Sequence, residues 1–226
     1  MKEIVIIFDM NGTVVDSDEA HWKAYQQVLR EHGIDFTFEE FTREWTSQGK
    51  KLDDALRKHG REDLIPQAKA IKAKKDEIFR ATMNERLRLM PKIREVLEYL
   101  KGKVRLALDS TSVQEDVERI LRQFDLTGFF DVITSGDMEW DEAKYGKKSK
   151  SSRFQFIADT LGIPPGRCIV VGDAEKDVKA AKEKGMKVVS IPTRYTKDND
   201  FSDSDRIITN AGEVSIELIN EIQRNK

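Results

Sequence analysis

The chain is poor in the features that mark secreted, membrane-bound or nucleic-acid-binding proteins. Its single cysteine, Cys168, leaves no internal disulfide, and its place inside the apolar run CIVVG marks it as a core residue. Charge of one sign is not in excess. The 39 Lys and Arg stand against 41 Asp and Glu, and a net charge of −2 is no footprint for nucleic acid or an anionic membrane. No apolar segment approaches the roughly 18 residues that cross a bilayer. The first apolar run ends at Asp9 without a small-residue cleavage site, so it does not read as a signal peptide. Internal repeats and low-complexity linkers are absent as well. These absences point to a soluble protein of a reducing compartment, the cytoplasm. What is present is length and charge: 226 residues suffice for one large core or two unequal ones. Charged residues make up 35%, above the about 25% usual for soluble proteins.

Five short runs rich in β-branched residues, at 3–8, 103–108, 131–134, 168–171 and 187–191, read as strands, with 206–210 as a sixth. Their near-continuous hydrophobicity suits strands covered on both faces of a parallel sheet. Helical patterns separate them. Ser112 and Glu115 form a capping-box pair ahead of VERILRQF, and Pro91 precedes IREVLEYLKG. This alternation predicts an α/β fold, a doubly wound Rossmann-like parallel sheet. Residues 17–88 break the pattern with helical segments alone. Trp22, Tyr25, Val28 and Leu29 share one face and Gly33 is a stop. Thr37 and Glu40 cap a second helix carrying Phe38, Phe41 and Trp45, and a long Lys-rich helix follows. The expected organisation is a core of 1–16 plus 89–226 interrupted by an all-helical insert at 17–88, with hinges near Val15–Ser17 and Leu87–Pro91.

In an open parallel sheet, ligands collect at the carboxyl ends of the strands. Those ends carry Asp9, then Asp109 and Ser110, then Gly172 and Asp173. Carboxylates converging there with no neutralising neighbour in sequence call for a cation, and oxygen-only donors favour a hard one such as Mg²⁺ shared with a phosphate. Gly12 permits a sharp turn whose N–H groups can face an anion. Asp9 and position 11, two apart in extended chain, should face one site.

The stretches DMNGTVVDS, LALDSTS, a lysine-rich loop and VVGDAEKDVKAAKEKGM resemble, in order and spacing, the motifs of the haloacid dehalogenase-like superfamily. The helical insert after the first of them is similar to that of its small-cap members, the phosphoglycolate phosphatase and β-phosphoglucomutase branch. The resemblance implies a helical cap, a small phosphorylated substrate and Mg²⁺. It implies Asp9 as a nucleophile forming an aspartyl phosphate and as a metal ligand, and position 11 as a carbonyl ligand of the metal. Ser110 and Thr111, with Gly12 and Thr13, would bind the phosphoryl group. Lys148, counted back from Leu-Gly-Ile, would neutralise it, with Lys147 and Lys150 as alternatives because the usual Lys-Pro-x-Pro is here KSKS. Asp173 and Asp177 would complete the metal site, and Lys50 and Lys51 after Gly49 would contact the substrate.

Blander readings compete. Asp177 can serve equally as a helix cap, His21 and Trp22 as packing, and His32 and His59 as exposed residues near helix ends; Asp109 has no account. The departure that matters is Asn11. An amide neither gives nor takes a proton at neutral pH, whereas the family's Asp there is the general acid and base. Three explanations stand. The first is a Mg²⁺-dependent phosphomonoester hydrolase whose Asp has been replaced. The second is a natural enzyme of other chemistry, a sugar-phosphate mutase or one like the phosphonoacetaldehyde hydrolases, with Lys50 in view as their Schiff-base lysine. The third is a silent protein that binds phosphorylated ligands.

Overall fold

The computed structural model describes residues 3–224. Its strands are β1 (Val5–Asp9), β2 (Val15–Asp16), β3 (Arg88–Leu89), β4 (Arg105–Asp109), β5 (Val132–Thr134), β6 (Cys168–Gly172), β7 (Lys187–Ser190) and β8 (Arg206–Ile207). Six form one sheet in the order β5-β4-β1-β6-β7-β8, with every pairing parallel. The expected runs are therefore strands, the sixth shortened to two residues. Burial explains the unbroken hydrophobicity. Every residue of β1 and β6 is buried, because helices cover both faces. Val5 and Ile7 of β1, Cys168 and Val170 of β6 and Val188 of β7 pack with Phe154 and Ile157 of helix Lys150–Leu161 and with Val178 and Ala181 of helix Glu175–Glu183. Helices Ile93–Leu100 and Gln114–Gln123 bury stripes at helical spacing: Ile93, Val96, Leu97 and Leu100 on one, Val117, Ile120 and Leu121 on the other.

From β1 the chain runs outward to β4 and β5, then returns to β6 and runs the opposite way to β7 and β8. The reversal falls between β1 and β6, and a crevice opens beyond the carboxyl ends of such a strand pair. Asp9 ends β1 and Asp173 follows β6, so the topology itself delivers both to this edge.

The chain divides into two compact units. One, the core, holds the six-stranded sheet. The other comprises Asp16–Arg88 together with Arg194–Asp198, a segment the sequence reading left elsewhere. Tyr195 of that segment meets Phe38 edge-on at 5.3 Å. The helices of this unit are Asp18–Glu31, Phe38–Glu40, Leu52–Lys58 and Ala68–Arg86. Gly33 adopts a φ of +76° just past the first, and Thr37 Oγ1 accepts the Glu40 N–H at 3.1 Å. The helix anticipated through Trp45 instead widens into a π-helix over Phe41–Ser47. Trp45 there packs against Phe36 at 4.9 Å.

One local expectation is corrected. Helix Gln114–Gln123 begins after Ser112, with Val113 as its cap residue, so Ser112 and Glu115 form no capping box. Ser112 is held outside because its N–H donates to Ser110 Oγ at 3.1 Å, and Asp137 Oδ1 accepts the Gln114 N–H at 2.7 Å in its place. No helix among the described residues is long and apolar enough to cross a membrane.

Candidate active site

Asp9 is the last residue of β1, paired in register with Asp109 of β4 and only 6% exposed. The chain then turns back at once: Val14 and Val15 donate their N–H groups to Met10 O, and Gly12 donates to Val15 O, each at 2.9 Å. The Gly12 N–H is thus spent inside the turn. Gly12 serves sterically. Its φ is +85°, and a Cβ there would overlap the Asp173 carboxylate. Gly172 makes the same allowance for Asp177. The two glycines are what let three carboxylates crowd together.

Asp173 is buried, and Asp177 lies one turn into helix Glu175–Glu183. Asp177 takes the capping role weighed for it, since Oδ2 accepts the Ala174 N–H at 3.0 Å, while Oδ1 meets the Lys150 ammonium. Asp9, Asp173 and Asp177 each place an oxygen within 4.8 Å of the others. An all-oxygen set of this kind suits a hard divalent ion. The ammonium of Lys150 reaches two of its three members, as a cation in that place should.

Lys150, not Lys148, is the lysine that meets Asp9. Its Nζ lies 2.5 Å from Asp9 Oδ1 and 3.8 Å from Asp109 Oδ2. Lys148 donates instead to the carbonyls of Gly136 at 3.2 Å and Met138 at 2.6 Å, holding that turn; Lys147 is exposed. The reason is where the helix starts. Ser149 caps it by exchanging hydrogen bonds with Ser152, so Lys150 is the first helical residue and Lys148 stays in the loop. The pattern Ser149-x-x-Ser152 was the available signal, and counting back from Leu-Gly-Ile passed over it.

Ser110 is buried beside this group. Its Oγ accepts the Ser112 N–H and its own N–H donates to Thr134 O at 3.2 Å, which leaves the hydroxyl proton able to donate. The Thr111 side chain is exposed, while its carbonyl approaches Gly136. Thr13 Oγ1 is buried with no hydrogen-bond partner among the described residues. Asn11 bridges to Val15 and is half-buried. Lys50 and Lys51 belong to the helical unit. There they line a cavity of about 580 Å³ with Tyr25 and Trp45, and Lys50 Nζ pairs with Glu44 at 3.4 Å. In the same unit His21 stacks on Phe79 at 4.1 Å, the packing role expected of it, and the buried Lys75 reaches His21 Nδ1 at 2.9 Å. Composition gave no sign of that buried cation.

Two residues were missed in role. Asp109, which had no account, is fully buried and gripped by Arg153, with Nε at 2.6 Å from Oδ1 and Nη2 at 3.0 Å from Oδ2. Arg153 lies three residues beyond Lys150 and so shares its helix face.

Burial pushes the Asp9 carboxyl up to about 6, with Lys150 opposing the shift and Asp177 and Asp109 adding to it. Burial also works against the Lys150 ammonium, but Asp177, Asp9 and Asp109 outweigh it and raise its pKa. A stability consequence follows for the metal-free protein. The folded Asp9 binds its proton more tightly than the unfolded one, whose pKa is 3.8, so its contribution is full below that value and is lost as pH rises through about 6. Asp9→Asn is therefore expected to raise the melting temperature at pH 7.5 by several degrees, reflecting up to about 3 kcal/mol. The gain should be clearly smaller at pH 5. Calorimetry in excess chelator checks this; an equal change at both pH values refutes it.

Residues 5–185 match the haloacid dehalogenase-like hydrolase family. CbbY of Cereibacter sphaeroides is 29% identical over 218 residues, spanning 92% of this chain and 93% of that protein. The fructose-1-phosphate phosphatase YqaB of Escherichia coli is 26% identical over 186 residues, spanning 82% and 95%. A crystal structure of CbbY from Rhodobacter sphaeroides, an aspartate-to-asparagine mutant in complex with xylulose-1,5-bisphosphate, superposes with a TM-score of 0.76 at 25% identity, covering 95% of this chain and 97% of that one. The chain belongs to the haloacid dehalogenase-like hydrolase family, as one of its phosphatases of small phosphorylated metabolites.

Proposed function

We propose that the chain is built to hydrolyse a phosphorylated carbohydrate through an aspartyl phosphate on Asp9, with Mg²⁺ as cofactor, and that Asn11 slows the turnover of this form. The observation that carries the reading is the buried Asp9 at the end of β1, in contact with Lys150 and grouped with Asp173 and Asp177. A carboxylate there can attack phosphorus in line, forming the Asp9–phosphorus bond as the ester oxygen leaves. Lys150 offsets the charge of the phosphoryl oxygens, and the Ser110 hydroxyl and the unpartnered Thr13 hydroxyl donate to them. Asp9, Asp173 and Asp177 would hold the metal, which supplies charge neutralisation for the phosphoryl group and orients it. Asn11 would offer its backbone carbonyl to the same ion. The amide at position 11 can hydrogen-bond the leaving oxygen but cannot protonate it, nor activate the water that opens the aspartyl phosphate. Lys50 and Lys51 of the helical unit are the proposed further contacts to the substrate. Among relatives, the sugar-phosphate activity in the name of YqaB and the bisphosphorylated sugar held by the CbbY mutant favour a phosphorylated sugar.

The test is phosphate release from p-nitrophenyl phosphate, phosphoglycolate and a panel of sugar phosphates, with and without Mg²⁺, for this chain beside Asn11→Asp. Mg²⁺-dependent release, strongest on a sugar phosphate and greater for the Asp form, is expected. An isomerised sugar phosphate without free phosphate would make the protein a mutase. Phosphate and Mg²⁺ binding with no turnover by either form would make it a silent binder.

A further inference from the structure

Asp109 has no part in the chemistry just described, yet it sits fully buried beside Asp9 in the β1–β4 register. It caps no helix and closes no turn. Its carboxylate is saturated by neighbours of fixed geometry: the two-pronged grip of Arg153 at 2.6 and 3.0 Å, and the Thr134 hydroxyl, which donates to Oδ1 at 2.7 Å. Arg153 itself is 4% exposed, so the pair is closed to solvent.

The consequence concerns Lys150. Its ammonium lies among Asp9, Asp177 and Asp109, the last at 3.8 Å. At that distance in a buried site, an unpaired Asp109 would attract the ammonium about two-thirds as strongly as Asp9 does from 2.5 Å. Four carboxylates, Asp9, Asp109, Asp173 and Asp177, lie around two cations held among them, Lys150 and Arg153, with the exposed Lys176 acting on Asp9 from outside. With Asp109 and Arg153 neutralising each other, Lys150 is left to the phosphoryl side of the site and the acidic group to a divalent ion. A guanidinium suits the task better than an ammonium, because its planar fork fills both oxygens of one carboxylate at once and holds a single orientation. A pair of apolar side chains would fill the same volume at no cost to stability, so core packing alone does not call for ions here.

We propose that Arg153 and Asp109 are positioning residues, the Arg153 fork occupying Asp109 so that Lys150 stays directed at Asp9 and the phosphoryl oxygens. The inference rests on the phosphatase reading above and assigns neither residue a contact with substrate.

The test uses Asn11→Asp as the parent, below the melting temperature of every variant. Arg153→Met leaves Asp109 unpaired and is expected to lower kcat about 10²-fold, the usual result of displacing a catalytic group by an ångström, with inorganic phosphate inhibiting several-fold more weakly. Asp109→Asn leaves Arg153 unpaired and is expected to tighten phosphate inhibition several-fold. The double variant Asp109→Asn with Arg153→Met should recover kcat to within a few-fold of the parent. A merely structural pair predicts otherwise: both single variants would shift phosphate affinity in the same direction or not at all. Either result overturns the proposal. Should Arg153→Met fail to fold, Asp109→Asn decides alone, and unchanged phosphate affinity overturns it. Should the parent release no phosphate from any substrate, the phosphatase reading fails instead. Calorimetric titration of the same variants with inorganic phosphate in Mg²⁺ then still reads the opposed shifts.

Discussion

Replacing Asn11 by Asp is expected to raise Mg²⁺-dependent phosphate release by about 10²–10⁴-fold, the range that a positioned general acid or base contributes. The turn after β1 is set by backbone hydrogen bonds from Gly12, Val14 and Val15, none of which uses the side chain at position 11. Asp should therefore enter without disturbing the fold. The gain should depend on the leaving group. A sugar alkoxide needs a proton as it departs, whereas p-nitrophenolate does not. With the latter, only the second step, attack of water on the aspartyl phosphate, should improve. Rapid quenching of the Asn11 form with p-nitrophenyl phosphate should accordingly show a burst of one nitrophenol per site followed by slow turnover, and the burst should vanish in Asn11→Asp. Equal rates for the two forms on a sugar phosphate would rule out any proton-transfer role for position 11.

Asp9→Asn in the Asn11→Asp background is expected to abolish phosphate release, by about 10⁴-fold or more, as removal of a covalent nucleophile does. The same change deletes one member of the Asp9–Asp173–Asp177 group, so the affinity for Mg²⁺ should fall with it. The melting temperature separates this from loss of folding, because burial raises the Asp9 pKa and removing the charge is expected to stabilise the metal-free protein. Activity lost while the melting temperature rises is the signature of a residue kept for chemistry. Substantial Mg²⁺-dependent activity in Asp9→Asn would mean that phosphate is attacked by water or by another side chain, and the covalent mechanism would have to be given up.

Much of this was legible residue by residue. The strands could be read because parallel strands buried on both faces need unbroken apolar runs, and VIIF, RLAL and CIVVG are such runs. Asp9 and Asp173 could be placed because a charged residue directly after such a run lies at a sheet edge. Lys148 was preferred to Lys150, the lysine that meets Asp9, because register in a loop depends on where the next helix is capped, and the Ser149–Ser152 exchange sets that start. The failed Ser112–Glu115 box has the same origin: Asp137, distant in sequence, supplied the cap.

The sequence by itself determined the class of fold, the helical insert, the carboxylates at the strand ends and the missing acid at position 11, since each follows from local periodicity or from the chemistry of one side chain. Only the tertiary structure decided which lysine faces Asp9, that Gly12 and Gly172 make room for Asp173 and Asp177, and that Asp109 is held by Arg153. Apart from Gly172 and Asp177, those are distances between residues tens of positions or more apart, and a chain acquires them only when β1, β4 and β6 align and the helices close over the sheet.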